Sequence, residues 1–323
     1  MLKPVSIVAG LAALFAATGV LAQGAAFPSK PVRVIVSSAP GALTDIAARV
    51  YAERMAVFLK QPVVIENMAA GVASLSSRAV ARAPADGYTI LASTNTLLSI
   101  PHLSKTAGYE MKDFIGIGEL CRSPNLVAVP SSSPFKSLPD LFAAVKKAPN
   151  SLSYASGGIG TTSHLPMEML MQLAGITMVH VPYKGNAPAI PDLISGRTQI
   201  MMATAAGLTG PIKAGQLRGV AITSEIRSVK FPDLPTLKEL GYAGASYSIF
   251  AGLLGPAALP KPVIDRLAEA IDFGRNDRGL RERLEGLDQE FSDVRTPVQF
   301  QALLRTEEEK QAKLIRDAKI QTE

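Results

Sequence analysis

Glycine and hydroxyl residues are concentrated in one stretch of the chain, between residues 153 and 185. A strand pattern at 152–155 is followed by three glycines, and then by Thr161, Thr162 and Ser163 before an apolar helical pattern. Glycines let a backbone approach a ligand closely. The start of a helix offers unpaired N–H groups and the positive end of the helix dipole. The stretch therefore indicates a site for a small anion held without a fixed positive charge. The alternative is an ordinary helix cap with a tight turn.

A second loop of the same kind lies near the start of the chain. A strand pattern at 31–36 leads through residues 37–43 into a helical pattern, whose first turn contains Thr44 and Asp45. A carboxylate in a first turn commonly caps free N–H groups. The functional alternative is that Asp45 orders water or a ligand group, because open α/β sheets bind ligands at the carboxyl ends of their strands.

Two further polar loops follow predicted strands. Residues 93–96 follow a strand at 88–92, and residues 182–186 follow a strand at 177–181. For the first of these loops, a ligand contact and a plain polar turn stay equally open. These loops are the third and fourth candidates for ligand contact.

Strand and helix patterns alternate through most of the chain, which predicts parallel sheets with helices on both faces. Short strands are expected at 114–120 and 125–129, and the last hundred residues are mainly helical. We expect this final segment to pack back on the first region. The predicted organisation is therefore a first lobe of residues 27–122 plus 225–323 and a second lobe of residues 123–224, with crossings near Arg122 and Ser224.

The first 22 residues have the composition of a secretory leader. Lys3 is their only charge, residues 5–21 are apolar and small, and the small residues before Ala22 fit a cleavage site. Cleavage after Ala26 is an alternative, and so is a retained membrane anchor. No later apolar run is long and unbroken enough to cross a membrane. We expect an exported, soluble protein.

Composition narrows the class of protein further. The 33 basic and 27 acidic residues give a formal net charge of +6. The basic residues are scattered, which argues against nucleic acid as a partner. Cys121 is the only cysteine, so no internal disulfide is possible, and its apolar surroundings indicate a core residue.

The chain lacks the common catalytic and cofactor motifs. Its three histidines are far apart in sequence, without the spacing of a metal site. It has no GxSxG elbow, no complete dinucleotide fingerprint and no phosphate-binding loop ending in Gly-Lys-Ser/Thr. His164 could serve Ser163 or Ser156 in hydrolysis, but no acidic residue lies close by in sequence to orient it. We interpret His164 as a helix-start residue tied into local hydrogen bonds.

The loops and strands described above resemble those of a known family, the substrate-binding proteins of tripartite tricarboxylate transporters, or Bug-type periplasmic receptors. Each matching piece is weak alone, but they occur in the family's order and cover nearly the whole mature chain. The pieces are Phe27-Pro28-Ser29-Lys30-Pro31, Pro40-Gly41-Ala42-Leu43-Thr44-Asp45, Gln61-Pro62-Val63-Val64-Ile65-Glu66-Asn67, Ala85-Asp86-Gly87-Tyr88-Thr89, Tyr154-Ala155-Ser156, Gly160-Thr161-Thr162-Ser163-His164, Val179-His180-Val181-Pro182-Tyr183-Lys184-Gly185 and Ile212-Lys213-Ala214-Gly215-Gln216-Leu217-Arg218.

The resemblance implies a two-lobed α/β fold of the periplasmic-binding-protein (Venus flytrap) kind, type II-like, with two doubly wound sheets joined by two crossover segments. It also implies a periplasmic, monomeric protein without catalysis or cofactor, which delivers a small carboxylate to membrane transporter subunits. Carried over position by position, the ligand-binding residues are Ala39, Gly41, Ala42, Asp45, Thr94 and Asn95 in the first lobe, and Ser156, Gly160, Thr161, Thr162, Ser163 and Tyr183 in the second.

The chain departs from the family pattern at three places. Ala42 stands where a second glycine is usual, Ala203-Thr204 where an acidic residue is common, and Phe250 where tryptophan is frequent. These differences make the expected pocket less polar. They predict an acid that is bulkier or more apolar than citrate.

Two other functions fit the same sequence. A sensor that presents its closed lobes to a membrane kinase needs the same two lobes as a transport receptor. A secreted hydrolase would use Ser163 and His164, and would lose ester turnover on His164→Ala.

Overall fold

The computed structural model describes residues 27–69, 73–228 and 230–320. The leader predicted for residues 1–22 lies outside these ranges. The strands are β1 Val32–Val36, β2 Val63–Asn67, β3 Thr89–Thr94, β4 Phe114–Pro130, β5 Ser153–Ser156, β6 Val179–Pro182, β7 Ile200–Thr204, β8 Leu217–Ile222 and β9 Ser248–Pro256. The helices are α1 Leu43–Leu59, α2 Ser74–Ala81, α3 Thr96–Leu103, α4 Leu138–Lys147, α5 Leu165–Ala174, α6 Ile190–Ile194, α7 Ala205–Lys213, α8 Lys261–Arg275, α9 Arg278–Gly286 and α10 Pro297–Asp317.

The nine strands of the described ranges form one sheet. Eight of them follow the order β2-β1-β3-β9-β4-β7-β5-β6, and β8 lies off this path, paired with β4. In the first half, β1 pairs in parallel with β2 and β3. In the second half, β5 pairs in parallel with β6 and β7. Helices connect these parallel strands. The predicted two-lobed α/β architecture is therefore confirmed. The two halves of the sheet share the long strand β4.

The continuity of β4 corrects the expectation of two short strands separated by a crossing at residues 122–124. Residues 122–124 stay paired with β9, and Pro124 lies opposite Ser248. Proline lacks an N–H group and is tolerated where a strand has no partner on that side. The N–H of Arg122 points to Glu290, away from β9, and the nitrogen two residues later faces the same side. Pro124 therefore leaves the pairing with β9 intact.

Helices cover both faces of the first half of the sheet. One face packs against α1 and α8 through a cluster that contains Val34, Tyr51 and Leu267. The other face packs against α3 and α10 through a cluster that contains Ile35 and Phe300. The C-terminal helices thus complete the core that the first ninety residues begin.

The second half of the sheet has a core of its own. Met167 and Met171 of α5 are buried in it, as their helical spacing predicts. Leu237 and Ala245 belong to the same cluster, although they follow the expected return crossing at Ser224. This packing favours a return near residue 246, and the division of the chain into lobes stays a prediction.

Helix α3 is missing from the sequence prediction, which assigned residues 93–96 to a loop. Pro101 lies inside α3, where a proline ring displaces the carbonyl four residues earlier. That carbonyl, of Leu97, instead accepts a hydrogen bond of 2.9 Å from the Tyr109 hydroxyl. A contact from outside the helix therefore compensates for the proline, and local sequence patterns do not reveal such contacts.

Within the described residues, no helix combines the length and apolar character that a bilayer crossing requires.

Candidate functional site

The glycine turn of the second lobe lies between β5 and α5. Gly158 and Gly160 have φ angles of +122° and +79°, a region that favours glycine. A Cβ atom on Gly160 would lie 2.3 Å from Cδ1 of Leu103, which is on α3 of the first lobe. Glycine is therefore required at position 160 because the turn of the second lobe and α3 of the first lobe lie close together.

The hydroxyl groups of this turn shape its backbone. Thr161 donates to the carbonyl of Gly158 at 2.7 Å. The Ser163 hydroxyl accepts the N–H of Gly157 at 2.8 Å, and the Ser156 hydroxyl accepts the N–H of Gly158 at 3.1 Å. Ser156, Thr161 and Ser163 were predicted to bind the ligand. In the structure, the hydroxyl group of each has a hydrogen-bond partner within the turn.

Amide groups are the donors that the turn leaves free. The N–H groups of Ile159, Thr162 and Ser163 donate to no other described residue, and the same holds for Leu43 and Thr44 in the first turn of α1. First-turn amides have no partner within their own helix. Both loops therefore offer the unpaired N–H groups and the dipole end that suit an anion.

Asp45 holds the loop before α1 in place. Its carboxylate is 3% exposed and accepts hydrogen bonds from the N–H of Gly41 at 2.8 Å, from Nε of Arg49 at 2.9 Å and from the Asn67 amide at 2.8 Å. Burial raises the pKa of Asp45, but these hydrogen bonds outweigh it and lower the pKa below its ordinary value. The carboxylate shapes the turn before the helix by bonding Gly41. It caps no N–H group of the first turn of α1, so the capping interpretation of Asp45 is wrong.

The loop after β3 is hydrogen-bonded to β9. Asn95 is 1% exposed, and its side-chain oxygen accepts the N–H of Phe250 at 2.9 Å. The Thr94 hydroxyl accepts the N–H of Thr96 at 3.4 Å. Asn95 thus fixes the end of β3 against β9.

The structure places these loops around the connection between β3 and α3. Because β1 and β3 are adjacent and parallel, the loop with Ala39, Gly41 and Ala42 begins beside the end of β3, and Ser37 bonds Ser93 at 3.0 Å. On the other side of the connection, Ser99 of α3 donates to the carbonyl of Gly160 at 2.7 Å. The first-lobe loop and the glycine turn therefore flank the same short segment.

Tyr183 adjoins the glycine turn through its backbone. Its N–H donates to the carbonyl of Ser156 at 2.9 Å. Its hydroxyl donates to Asp192 at 2.7 Å, and this hydrogen bond raises the pKa of Tyr183. The phenol is therefore committed to a carboxylate of its own lobe.

A stack of three rings borders the turn, and sequence analysis missed it. The His180 ring stacks on Tyr154 and on His164, with centroid distances of 4.7 and 4.2 Å, and the Tyr154 and His164 centroids are 6.3 Å apart. Tyr154 of β5 is opposite His180 of β6 in the sheet. Glu168 of α5 bonds the Tyr154 hydroxyl and lies 3.8 Å from Nε2 of His164. The i,i+4 spacing of His164 and Glu168 is the one signal of this cluster in the sequence.

Burial keeps both imidazoles neutral. It lowers the pKa of His164 to about 3, with a further contribution from the neighbouring His180. It also lowers the pKa of His180 to about 4. The same burial raises the pKa of Glu168, against the hydrogen bond from Tyr154. The stack thus carries no positive charge at neutral pH.

Comparison with known proteins places this geometry in a family. The family model described as "Tripartite tricarboxylate transporter family receptor" matches residues 47–320. The chain belongs to this family.

Solved structures similar to this receptor agree with that assignment. The periplasmic binding protein BugD is 33% identical, with a TM-score of 0.81 over 92% of this chain and 100% of its own. MatC from Rhodopseudomonas palustris, with bound malate, is 27% identical, with a TM-score of 0.80 over 90% and 100%. R. palustris Rpa4515, with adipate, is 28% identical, with a TM-score of 0.82 over 91% and 99%. These relatives are binding proteins, so the expectation of a protein that is not an enzyme agrees with the family.

In the described ranges, the contacts of a serine hydrolase are also missing. Among the described residues, no hydrogen bond joins Ser163 to His164, whose Nδ1 accepts the N–H of Gly160. The hydroxyl of Ser156 lies 2.6 Å from Nε2 of His180. However, Ser156 is fully buried, and no carboxylate in the described ranges bonds His180 to orient it.

A separate cavity of about 440 Å³ lies where the lobes join. It is lined by the start of β9, by Arg122 and by residues of α10 that include Gln311. The Gln311 amide is buried and has no partner among the described residues. Asn95 is the single predicted ligand residue in this lining, so the cavity is distinct from the loops described above.

Proposed function

We propose that this receptor is an exported solute-binding protein that holds a small carboxylate between its lobes and delivers it to membrane subunits of a tripartite tricarboxylate-type transporter. One observation carries the proposal: the first turn of α1 and the glycine turn before α5, one in each lobe, both have unpaired amide groups. MatC and Rpa4515 support it, because these similar proteins hold malate and adipate. The ligand residues we propose remain those of the two loops, with Thr94, Asn95 and Tyr183 beside them.

Backbone amides are the ligand donors in this proposal because Arg49, the cation in the first turns of α1, is already paired. Arg49 bonds both Asp45 and Asn67. Hydrogen bonds from N–H groups to a carboxylate are charge-assisted and stronger than neutral ones. A carboxylate can therefore be bound without a neutralising side chain, and released again without breaking an ion pair.

The proposed ligand is bulkier or more apolar than citrate. Ala203 ends the buried part of β7 and adds no carboxylate there, and Ala42 brings a methyl group to the start of α1. Phe250 does not carry this proposal, because it packs edge-on against Phe300 in the first-lobe core. Ala42 and Ala203 are therefore the two positions that favour an apolar acid.

A thermal-shift series with malate, adipate, citrate and benzoate tests the ligand class. An acid at a hundredfold excess over its Kd should stabilise the native state by about 2.7 kcal/mol. Matched amides of the same acids are the control, since they keep the shape and lose the charge. Stabilisation by the amides as large as by the acids would contradict anion binding. Stabilisation by citrate alone would contradict the apolar preference.

The cellular part of the proposal has its own measurements. We propose cleavage after Ala22 or Ala26, which the N-terminal peptide mass of exported protein distinguishes. We also propose a monomer, which light scattering of the mature protein checks. Capture of transporter membrane subunits should depend on bound acid. Capture of a membrane kinase instead would favour the sensor function.

A further inference from the structure

The ring stack holds the glycine turn through two hydrogen bonds. The N–H of Gly160 donates to Nδ1 of His164 at 3.2 Å. Nε2 of His180 lies 2.6 Å from the hydroxyl of Ser156, and that hydroxyl also accepts the N–H of Gly158. Each imidazole therefore reaches the backbone of the turn, one directly and one through Ser156.

The contact of His164 with Gly160 requires one protonation state. An imidazole nitrogen that accepts an N–H carries no proton, so His164 must be neutral with its proton on Nε2, the atom nearest Glu168. A proton on Nδ1 would oppose the N–H of Gly160, donor against donor. The titratable groups that face the two rings are Glu168 from α5 and Tyr154 from β5. The low exposure of His164, 3%, keeps water from replacing the lost contact.

We propose that His164 and His180 are positioning residues for the ligand: two stacked, neutral imidazoles that hold the glycine turn in the conformation in which its amide groups bind a carboxylate. The inference rests on the proposed function, because it assigns these histidines to that same site. Neither ring needs to touch the ligand. Their effect passes through Gly160 and Ser156 to the free amides of the turn.

The chemistry of amide side chains separates positioning from packing. The side-chain oxygen of Asn can take the place of Nδ1 of a histidine, and that of Gln the place of Nε2, because both are neutral acceptors. His164→Asn therefore keeps the acceptor for Gly160 and loses the ring. His164→Leu fills a similar volume without an acceptor. His180→Gln and His180→Leu form the equivalent pair for Ser156.

The first experiment is calorimetric titration of these variants with malate and with adipate at neutral pH. Loss of one buried hydrogen bond corresponds to about a tenfold change in an equilibrium constant. We expect the Leu variants to bind about tenfold more weakly than wild type, and the amide variants to stay within about threefold. If His164→Leu does not fold, His164→Gln replaces it, because its acceptor lies one methylene too far from Gly160. Equal affinities of His164→Asn and of His164→Leu (or of His164→Gln where it replaces His164→Leu) would overturn the proposal.

The second experiment needs no ligand. Amide hydrogen exchange of peptides covering residues 153–164 reports directly on the turn. We expect faster exchange in the Leu variants and near wild-type exchange in His164→Asn and His180→Gln. If exchange is rescued in this way but no acid of the thermal-shift series binds any of the proteins, the carboxylate function is refuted and the positioning role stands. Unchanged exchange in all variants would refute the positioning role even if the acids bind.

Discussion

The two ligand loops are held by different physical means. The loop before α1 depends on an ionised, partly exposed network, in which Asp45 is buried but Arg49 has 47% of its side chain exposed. The glycine turn depends on neutral hydroxyl groups, on the buried His164 and on the half-buried His180. Charge pairs near water respond to salt and to pH, whereas neutral buried hydrogen bonds respond to packing. The two halves of the proposed anion site are thus held in one lobe by charge and in the other by packing.

The largest effect should come from breaking the packing of the glycine turn. Gly160→Ala places a methyl group within 2.3 Å of Leu103 at a φ of +79°, and we expect a loss of about 3 kcal/mol of folding stability. Gly175→Ala is the control, since its φ of +62° is similar and no atom lies within 4 Å. It should cost about 1 kcal/mol. Equal losses in urea unfolding would mean that backbone strain alone, and no contact between the lobes, makes Gly160 necessary.

Acid should weaken the two loops in different pH ranges. The ordinary histidine pKa is 6.5, and in the native state His164 and His180 have values of about 3 and about 4. Below pH 6.5 the unfolded chain therefore binds more protons, and stability falls as the pH falls towards 4. At one pH unit below the ordinary histidine pKa, the two histidines together should have lowered the free energy of unfolding by about 2 kcal/mol. A double variant, His164→Asn with His180→Gln, should flatten this part of the profile.

Asp45 should act only at lower pH. Its native pKa lies below its ordinary value of 3.8, so its stabilisation is present above that value and is lost as the pH falls through the native pKa. The profile of Asp45→Asn should therefore differ from wild type in slope only below about pH 4. Loss of an Asp45 contribution already near pH 6 would contradict the difference between the loops.

Salt should also separate the loops, with a smaller effect. Asp45→Asn removes hydrogen bonds from a charged acceptor and should cost about 1.5 kcal/mol, a cost that shrinks at high salt. Ser163→Ala removes the neutral acceptor of the Gly157 N–H and should cost about 1 kcal/mol at any salt concentration. The measurement is chemical unfolding of both variants with urea at low and high ionic strength. Equal salt dependence would show that the loops are held alike.

The smallest effect should come from Tyr183→Phe. The phenol is bonded to Asp192, and the contact of Tyr183 with the glycine turn is made by its backbone. Acid affinity should stay within about twofold of wild type, because a single exposed pair contributes little. A much larger loss in titration with the best acid of the thermal-shift series would mean that the hydroxyl leaves Asp192 to bind the ligand.

The sequence by itself determined the features that depend on local patterns. Alternating apolar strands and helices predicted the α/β fold, and the order of short motifs indicated the family. The glycines and the predicted helix starts marked the two loops in which unpaired amides lie. These inferences hold because backbone geometry and helix termini depend on neighbouring residues.

Only the tertiary structure decided which partners the polar side chains have. It assigned the hydroxyls of Ser156 and Ser163 to their own turn, paired Tyr154 with His180 through strand register, and placed Leu103 against Gly160 across the lobes. A side chain with several possible hydrogen-bond partners bonds the one that folding brings near. Tyr154 and His180, and Leu103 and Gly160, come from distant segments, and no local pattern predicts these contacts.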